Sequence, residues 1–93
     1  MTTPNPGILI TLQGPGGTLD VAARTDRALH ELASATATTL GLPAAPIVAG
    51  HYRVGAEGKS VLLTATLAEI GALDGDAIVY RPAPTGVGSV EQR

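Results

Sequence analysis

The side chains able to do chemistry in this chain are few, and their spacing assembles little. His30 and His51 are its only histidines. They fall in different segments, and no third group stands near either at metal-site or triad spacing, so both read as surface or partly buried structural residues. The pairs Asp20–Asp26 and Asp74–Asp76 could be imagined as cation ligands. Asp74-Gly75-Asp76 lacks the run of oxygen donors that a calcium loop supplies, and it reads as turn chemistry instead. Gly14-Pro15-Gly16-Gly17 has the glycine density of a phosphate loop without the Gly-Lys-Ser/Thr ending or the following helix. It therefore reads as a chain reversal. The absence of cysteine removes disulfides, thiolate nucleophiles and most structural zinc designs. No catalytic, cofactor-binding or metal-ligating residue emerges from the sequence, and no cofactor is expected.

Composition narrows the partners as well. A length of 93 residues supports one domain, and 44% apolar residues support a packed core. With no Phe or Trp, and with Tyr52 and Tyr80 as the only aromatics, that core must be built from Ala, Val, Leu and Ile. A net charge of −2, a single lysine (Lys59) and scattered arginines give no basic face for nucleic acid. No run approaches the roughly 20 apolar residues of a membrane span, and the start MTTPNPGILITL has no basic region typical of a secretion signal. A soluble cytoplasmic chain without direct membrane insertion is the expectation.

The elements that would position these residues follow from pattern. Residues 1–6 read as a flexible lead-in. Gly7–Gln13 and Thr18–Arg24 alternate as strands around the Gly-Pro-Gly-Gly reversal, making a hairpin with Leu19, Val21 and Ala23 on one side. Thr25 stands at an N-cap position with Asp26 in the first turn. A helix over Asp26–Leu40 follows, with Leu29, Leu32, Ala33 and Leu40 on one face, Thr36 at the intervening place and Gly41 ending it. Leu42–Gly50 reads as a loop, then His51–Val54 and Ser60–Leu63 as short strands. Thr66 and Glu69 have capping-box spacing for one short helical turn closed by Gly71. In that turn Leu67, Ile70 and Leu73 make an apolar edge. Asp74-Gly75 reverses the chain into a last strand, where Ile78 and Tyr80 share a side. Residues 83–93 read as a flexible tail or linker after a domain at 7–82. The order describes an α+β fold of β-grasp type: a mixed sheet of four to five strands on one main helix, with the first and last strands parallel at its centre.

At this point the chain resembles the ubiquitin-like superfamily. The hairpin with Thr18-Leu19-Asp20-Val21 and then a capped helix is similar to the start of ubiquitin itself. Gly50-His51-Tyr52-Arg53-Val54, followed by Leu67-Ala68-Glu69-Ile70-Gly71-Ala72-Leu73-Asp74-Gly75-Asp76, resembles the YukD/EsaB family, which includes the N-terminal cytosolic domain of EccD in type VII (ESX) secretion. The resemblance implies a non-catalytic protein–protein module, an adaptor or regulatory domain of a bacterial secretion apparatus. Its partners would be a membrane ATPase or multi-spanning components reached at the inner face of the membrane. It carries over no catalytic residue.

Two other readings stay open. A conjugable modifier or sulfur carrier needs an unhindered C-terminal Gly-Gly, whereas here Val87 separates Gly86 from Gly88 and the chain runs on to Arg93. A small ubiquitin-like subunit of a multicomponent enzyme such as a monooxygenase is the other. For partner binding the candidates are His51, Arg53, Val79 and Arg81. If Ile78 and Tyr80 face the helix, alternation turns Ala77, Val79 and Arg81 outward; counting Tyr52 and Val54 as inward leaves His51 and Arg53 outside, on the same open sheet face.

Overall fold

The computed structural model describes residues 7–44, 46–53 and 55–83. Residues 1–6, Ala45, Val54 and the tail from 84 onward lie outside the described residues, and the readings placed on them go no further.

The hairpin forms as its sequence requires. Strand β1 (Gly7–Gly14) and strand β2 (Gly17–Arg24) pair antiparallel in the register Ile10↔Val21 and Leu12↔Leu19. This register puts Ile10, Leu12 and Ala23 in the core, with Leu19 and Val21 packed at its margin. The turn glycines have a further duty beyond bending. A Cβ on Gly14 would lie 2.5 Å from the Leu40 carbonyl oxygen, and one on Gly17 would lie 2.8 Å from that of Thr39. The hairpin turn thus packs against the end of the helix backbone to backbone, and the Gly16 N–H donates to Leu40 O at 2.9 Å.

Helix α1 (Leu29–Leu40) starts later than Thr25 and Asp26 suggest. Thr25 offers its carbonyl to Ala68 N–H, and Asp26 pairs with Arg24 at 2.7 Å instead of lying in a helical turn. The first helical donors are satisfied by distant backbone: Leu29 N–H donates to Ala65 O and His30 N–H to Leu63 O, both at 2.9 Å. Glu31 Oε1 accepts the Ala28 N–H at 3.2 Å. Because another segment supplies the acceptors, no capping side chain is needed. The helix ends as expected. Gly41 takes φ 66°, its N–H reaches Thr38 O, and Leu42 N–H reaches Ala37 O, the two bonds of a Schellman ending. Leu29, Ala33 and Leu40 are buried and Leu32 packs beside them. Thr36 on the same stripe returns its hydroxyl to Leu32 O.

The segment read as a loop up to Gly50 contains the start of a strand. Strand β3 spans Ile47–Tyr52, and the shorter β4 spans Lys59–Val61. Pro46 marks where β3 begins and does not break it, because the missing N–H falls outside the ladder. The last strand, β5 (Ala77–Pro82), runs between β1 (parallel) and β3 (antiparallel), giving the order β2-β1-β5-β3-β4. The sheet is mixed and five-stranded, with its first and last strands adjacent at the centre. Ile78 and Tyr80 on β5 are buried against α1, and the Tyr80 hydroxyl donates to Leu29 O at 2.7 Å.

The capped turn before β5 forms as its spacing predicts. Thr66 Oγ1 accepts Glu69 N–H, and Glu69 Oε1 accepts Thr66 N–H. Ile70 N–H closes one helical turn on Thr66 O, and Gly71 at φ 74° reverses the chain. That reversal shifts the apolar phase by one residue. Leu67 and Ala72 are buried, while Leu73, expected on the inner edge, is exposed.

Two substitutions separate packing from propensity. Gly14→Ala, in a strand position where Ala is normally the better residue, lowers the urea midpoint by forcing the turn off the helix end, at a cost of about 1–3 kcal/mol. Tyr80→Phe keeps the packing and removes the bond to Leu29 O, costing about 1 kcal/mol in the same measurement.

Candidate functional site

The four residues expected on the open sheet face divide into two groups. Neighbours directly opposite on paired strands share a face. His51 lies opposite Ile78, and Tyr52 opposite Ala77. Ile78 is buried under the helix, so His51 lies on the helix side and Tyr52 on the open side, the reverse of the expected phase. Arg53, just past β3, follows His51 toward the lower edge of the sheet. Val79 and Arg81 alone of the four lie on the open face.

His51 and Arg53 converge on Asp76, which is 2% exposed and is the buried charged residue among the described residues. Oδ2 of Asp76 accepts from His51 Nε2 at 2.7 Å, from Leu73 N–H at 3.0 Å and from Arg53 Nη2 at 3.1 Å. Arg53 Nε lies 3.2 Å from Oδ1. A carboxylate only accepts, so Nε2 is the protonated nitrogen of His51 in this contact. Arg53 Nη2 also donates to Gly71 O at 2.9 Å. Burial on its own would raise the Asp76 pKa. The Arg53 hydrogen bonds, the Leu73 N–H, the His51 contact and the Arg53 charge outweigh it and bring the value down to about 2. The backbone of Asp76 is engaged too, donating to Leu73 O and accepting from Thr11 N–H. Next to it, Asp74 Oδ1 accepts Leu9 N–H at 2.8 Å and Gly75 N–H donates to Leu9 O. The Asp-Gly-Asp turn therefore extends the β1–β5 pairing beyond the strand. These are structural duties, and every oxygen of the Asp76 carboxylate is occupied. Among the described residues, no three His, Asp or Glu side chains converge to hold a metal ion.

On the other side of the sheet, the open face of β3 and β5 carries a shallow cleft. Val48 lies opposite Arg81 and Gly50 opposite Val79. Beside Gly50, over which the Tyr52 ring packs, lies a hollow of about 130 Å³ bounded by Val48, Val79, Tyr52, Ser60 and Arg81. The Tyr52 ring lies across Gly58, where any Cβ would overlap the ring. The Tyr52 hydroxyl accepts from Arg81 Nη2 at 2.6 Å, which fixes one wall of the hollow. Val48 is 44% exposed. Sequence reasoning missed Val48 and Tyr52 here and Asp76 on the other side. The signal available was the glycine at position 50, which marks a strand position with no side chain of its own.

Acid titration tests the Asp76 assignment. Its folded pKa of about 2 lies below the ordinary 3.8, so its contribution is complete above pH 3.8 and drains away as pH falls toward 2. Asp76→Asn lowers stability near neutral pH, and its urea midpoint changes less than that of the wild type across this acid window.

No protein-family model matches the chain, and no curated protein matches it in sequence. Solved structures do match its fold. The C-terminal ubiquitin-like domain of mouse tubulin-specific chaperone e superposes with a TM-score of 0.69 at 8% identity, covering 89% of this chain and 93% of that one. The ubiquitin of Caldiarchaeum subterraneum gives 0.64 at 19% identity, covering 87% and 99%. Protomer 1 of the ESX-3 core complex gives 0.57 at 19% identity, covering 95% of this chain and 18% of that one. Strand order, central parallel pair and these superpositions agree: the chain has the ubiquitin-like β-grasp fold.

Proposed function

We propose that this chain is a non-catalytic protein–protein interaction module, an adaptor or regulatory ubiquitin-like domain of a type VII secretion system. The observation that carries the reading is the cleft between Val48, Val79 and the Tyr52–Arg81 pair. Small-molecule pockets run to about 300–1,000 Å³; a hollow of about 130 Å³ on an open sheet accommodates one protruding side chain of a partner. Its apolar floor of Val48 and Val79, with an Arg81–Tyr52 pair at the rim, has the make-up of a contact patch: an apolar centre and a polar border. The ionisable cluster on the other side supports the non-catalytic reading, because His51 and Arg53 are held by Asp76 and serve the fold.

The secretion assignment rests on the Leu67–Asp76 motif and on the ESX-3 core complex protomer, a much longer chain in a multi-protein assembly that carries a region of the same fold. In such a setting the cleft would engage a membrane ATPase or a multi-spanning component from the cytoplasmic side. Val79 and Arg81 belong to this surface, joined by Val48 and Tyr52. His51 and Arg53 shape the sheet edge behind it.

Affinity capture from host lysate and solubilised membranes, read by mass spectrometry, tests the proposal. Recovery of a membrane ATPase or multi-spanning secretion components, lost with Val79→Asp, is the expected result. Recovery of an activating enzyme, or of covalent adducts formed through a processed tail, overturns it. Val79→Asp is expected to weaken binding at least about tenfold while leaving the melting temperature nearly unchanged.

A further inference from the structure

The two edges of the sheet differ sharply. Strand β4 at one edge has three residues and carries Lys59, both common protections against strand pairing. Strand β2 at the other edge has eight residues with neither Lys nor Pro, and no other strand pairs with its outer side among the described residues.

Which of its backbone groups point outward follows from β1. Leu9 N–H and O bond Asp74 Oδ1 and Gly75 N–H, and Thr11 N–H bonds Asp76 O, all toward β5. Leu9 and Thr11 therefore turn away from β2, and their partners Ala22 and Asp20 turn away from β1. By alternation Thr18, Asp20, Ala22 and Arg24 present their main-chain groups to the free edge. A groove between this edge and α1, lined by Val21, Arg27, Leu32, Ala35 and Thr36, runs alongside.

We propose that a second copy of this chain occupies the edge, β2 against β2 in antiparallel register about a two-fold axis at Ala22. Every register centred on a residue from Leu19 to Ala23 brings outward-pointing residues opposite one another, and at the two ends Asp20 meets Thr18 or Arg24 meets Ala22. Centred on Asp20, two carboxylates oppose. Centred on Val21, Asp20 meets only Ala22. Centred on Ala22, Asp20 of each copy lies opposite Arg24 of the other, so one register gains two opposite-charge pairs at once. Arg24 keeps its exposed bond to Asp26 in this arrangement and becomes a bridge between the two carboxylates. Its carbonyl, which accepts the Arg27 N–H at 3.2 Å, retains a second lone pair for the partner strand. On the helix side, Val21 of each copy, half-exposed in the single chain, lies opposite Ala23 of the other beside the groove. The product is a continuous ten-stranded sheet, built from two five-stranded ones, closed by symmetry and with only the short β4 edges left open.

Sedimentation velocity from about 10 µM to about 1 mM tests this. A concentration-dependent dimer is expected, with the Ala22 amide becoming protected from hydrogen exchange as the dimer fills. Asp20→Arg sets like charges opposite and is expected to raise the dissociation constant about tenfold or more. Asp20→Arg combined with Arg24→Asp restores it, and Ala22→Pro, which removes a central N–H, abolishes the dimer. A chain that stays monomeric throughout overturns the proposal. So does a dimer indifferent to Asp20→Arg, or one that the double exchange fails to restore.

Discussion

A single buried carboxylate holds the junction on which the sheet depends. Asp76 stands where the chain leaves the capped turn and enters the central strand, and it gathers donors from three separate segments: His51 in β3 with Arg53 just past it, Leu73 within its own turn and, through its backbone, Thr11 of β1. An ionised group out of water is tolerable only when its oxygens are fully bonded. That condition cannot be met unless the end of β3 lies beside the turn that leads into β5, and the Asp76 carbonyl meanwhile holds Thr11 of β1. The network thereby makes the central parallel pair and the β3–β5 pair conditional on each other. Removing the charge loosens both.

The remainder of the core has to manage without bulk. With no Phe or Trp, close contact comes from backbone meeting backbone: the hairpin glycines against the end of α1, and the first helical N–H groups against the carbonyls of Leu63 and Ala65. Tyr80, the one aromatic in the interior, ties the central strand to the start of the helix through its hydroxyl. Such joints are specific because each leaves a polar group unsatisfied when it slips.

Most of this architecture was legible from periodicity and turn chemistry. The Leu19–Val21–Ala23 alternation, Gly41, the Thr66/Glu69 pair and Asp74-Gly75 each have a local cause, and each lies where that cause puts it. The misplacements share one origin, which is a nonlocal partner outvoting a local preference. Thr25 is a fair cap, but the helix draws its acceptors from Leu63 and Ala65, far along the chain. In β3, the rule that apolar residues turn inward assigned Tyr52 to the core and His51 to solvent. The buried Asp76 reverses it, because a histidine next to a carboxylate is better placed inside than a tyrosine over two glycines. With that phase inverted, His51 and Arg53 lie on the helix side of the sheet, and Val48 and Tyr52 share the open face with Val79 and Arg81.

The position of β5 has a consequence for biogenesis. The strand that fills the middle of the sheet is the last to be synthesised, and the carbonyls that complete the helix N-terminus also come from the C-terminal third. A nascent chain lacking residues 77–82 holds a hairpin and a helix with no Ile78 or Tyr80 to cover them and an empty slot between β1 and β3. Long-range pairings of this kind are made only once both partners exist. Folding of this domain is thus a single event that waits for the ribosome to release nearly the whole of it, and until then the slot is open to any strand that chances by.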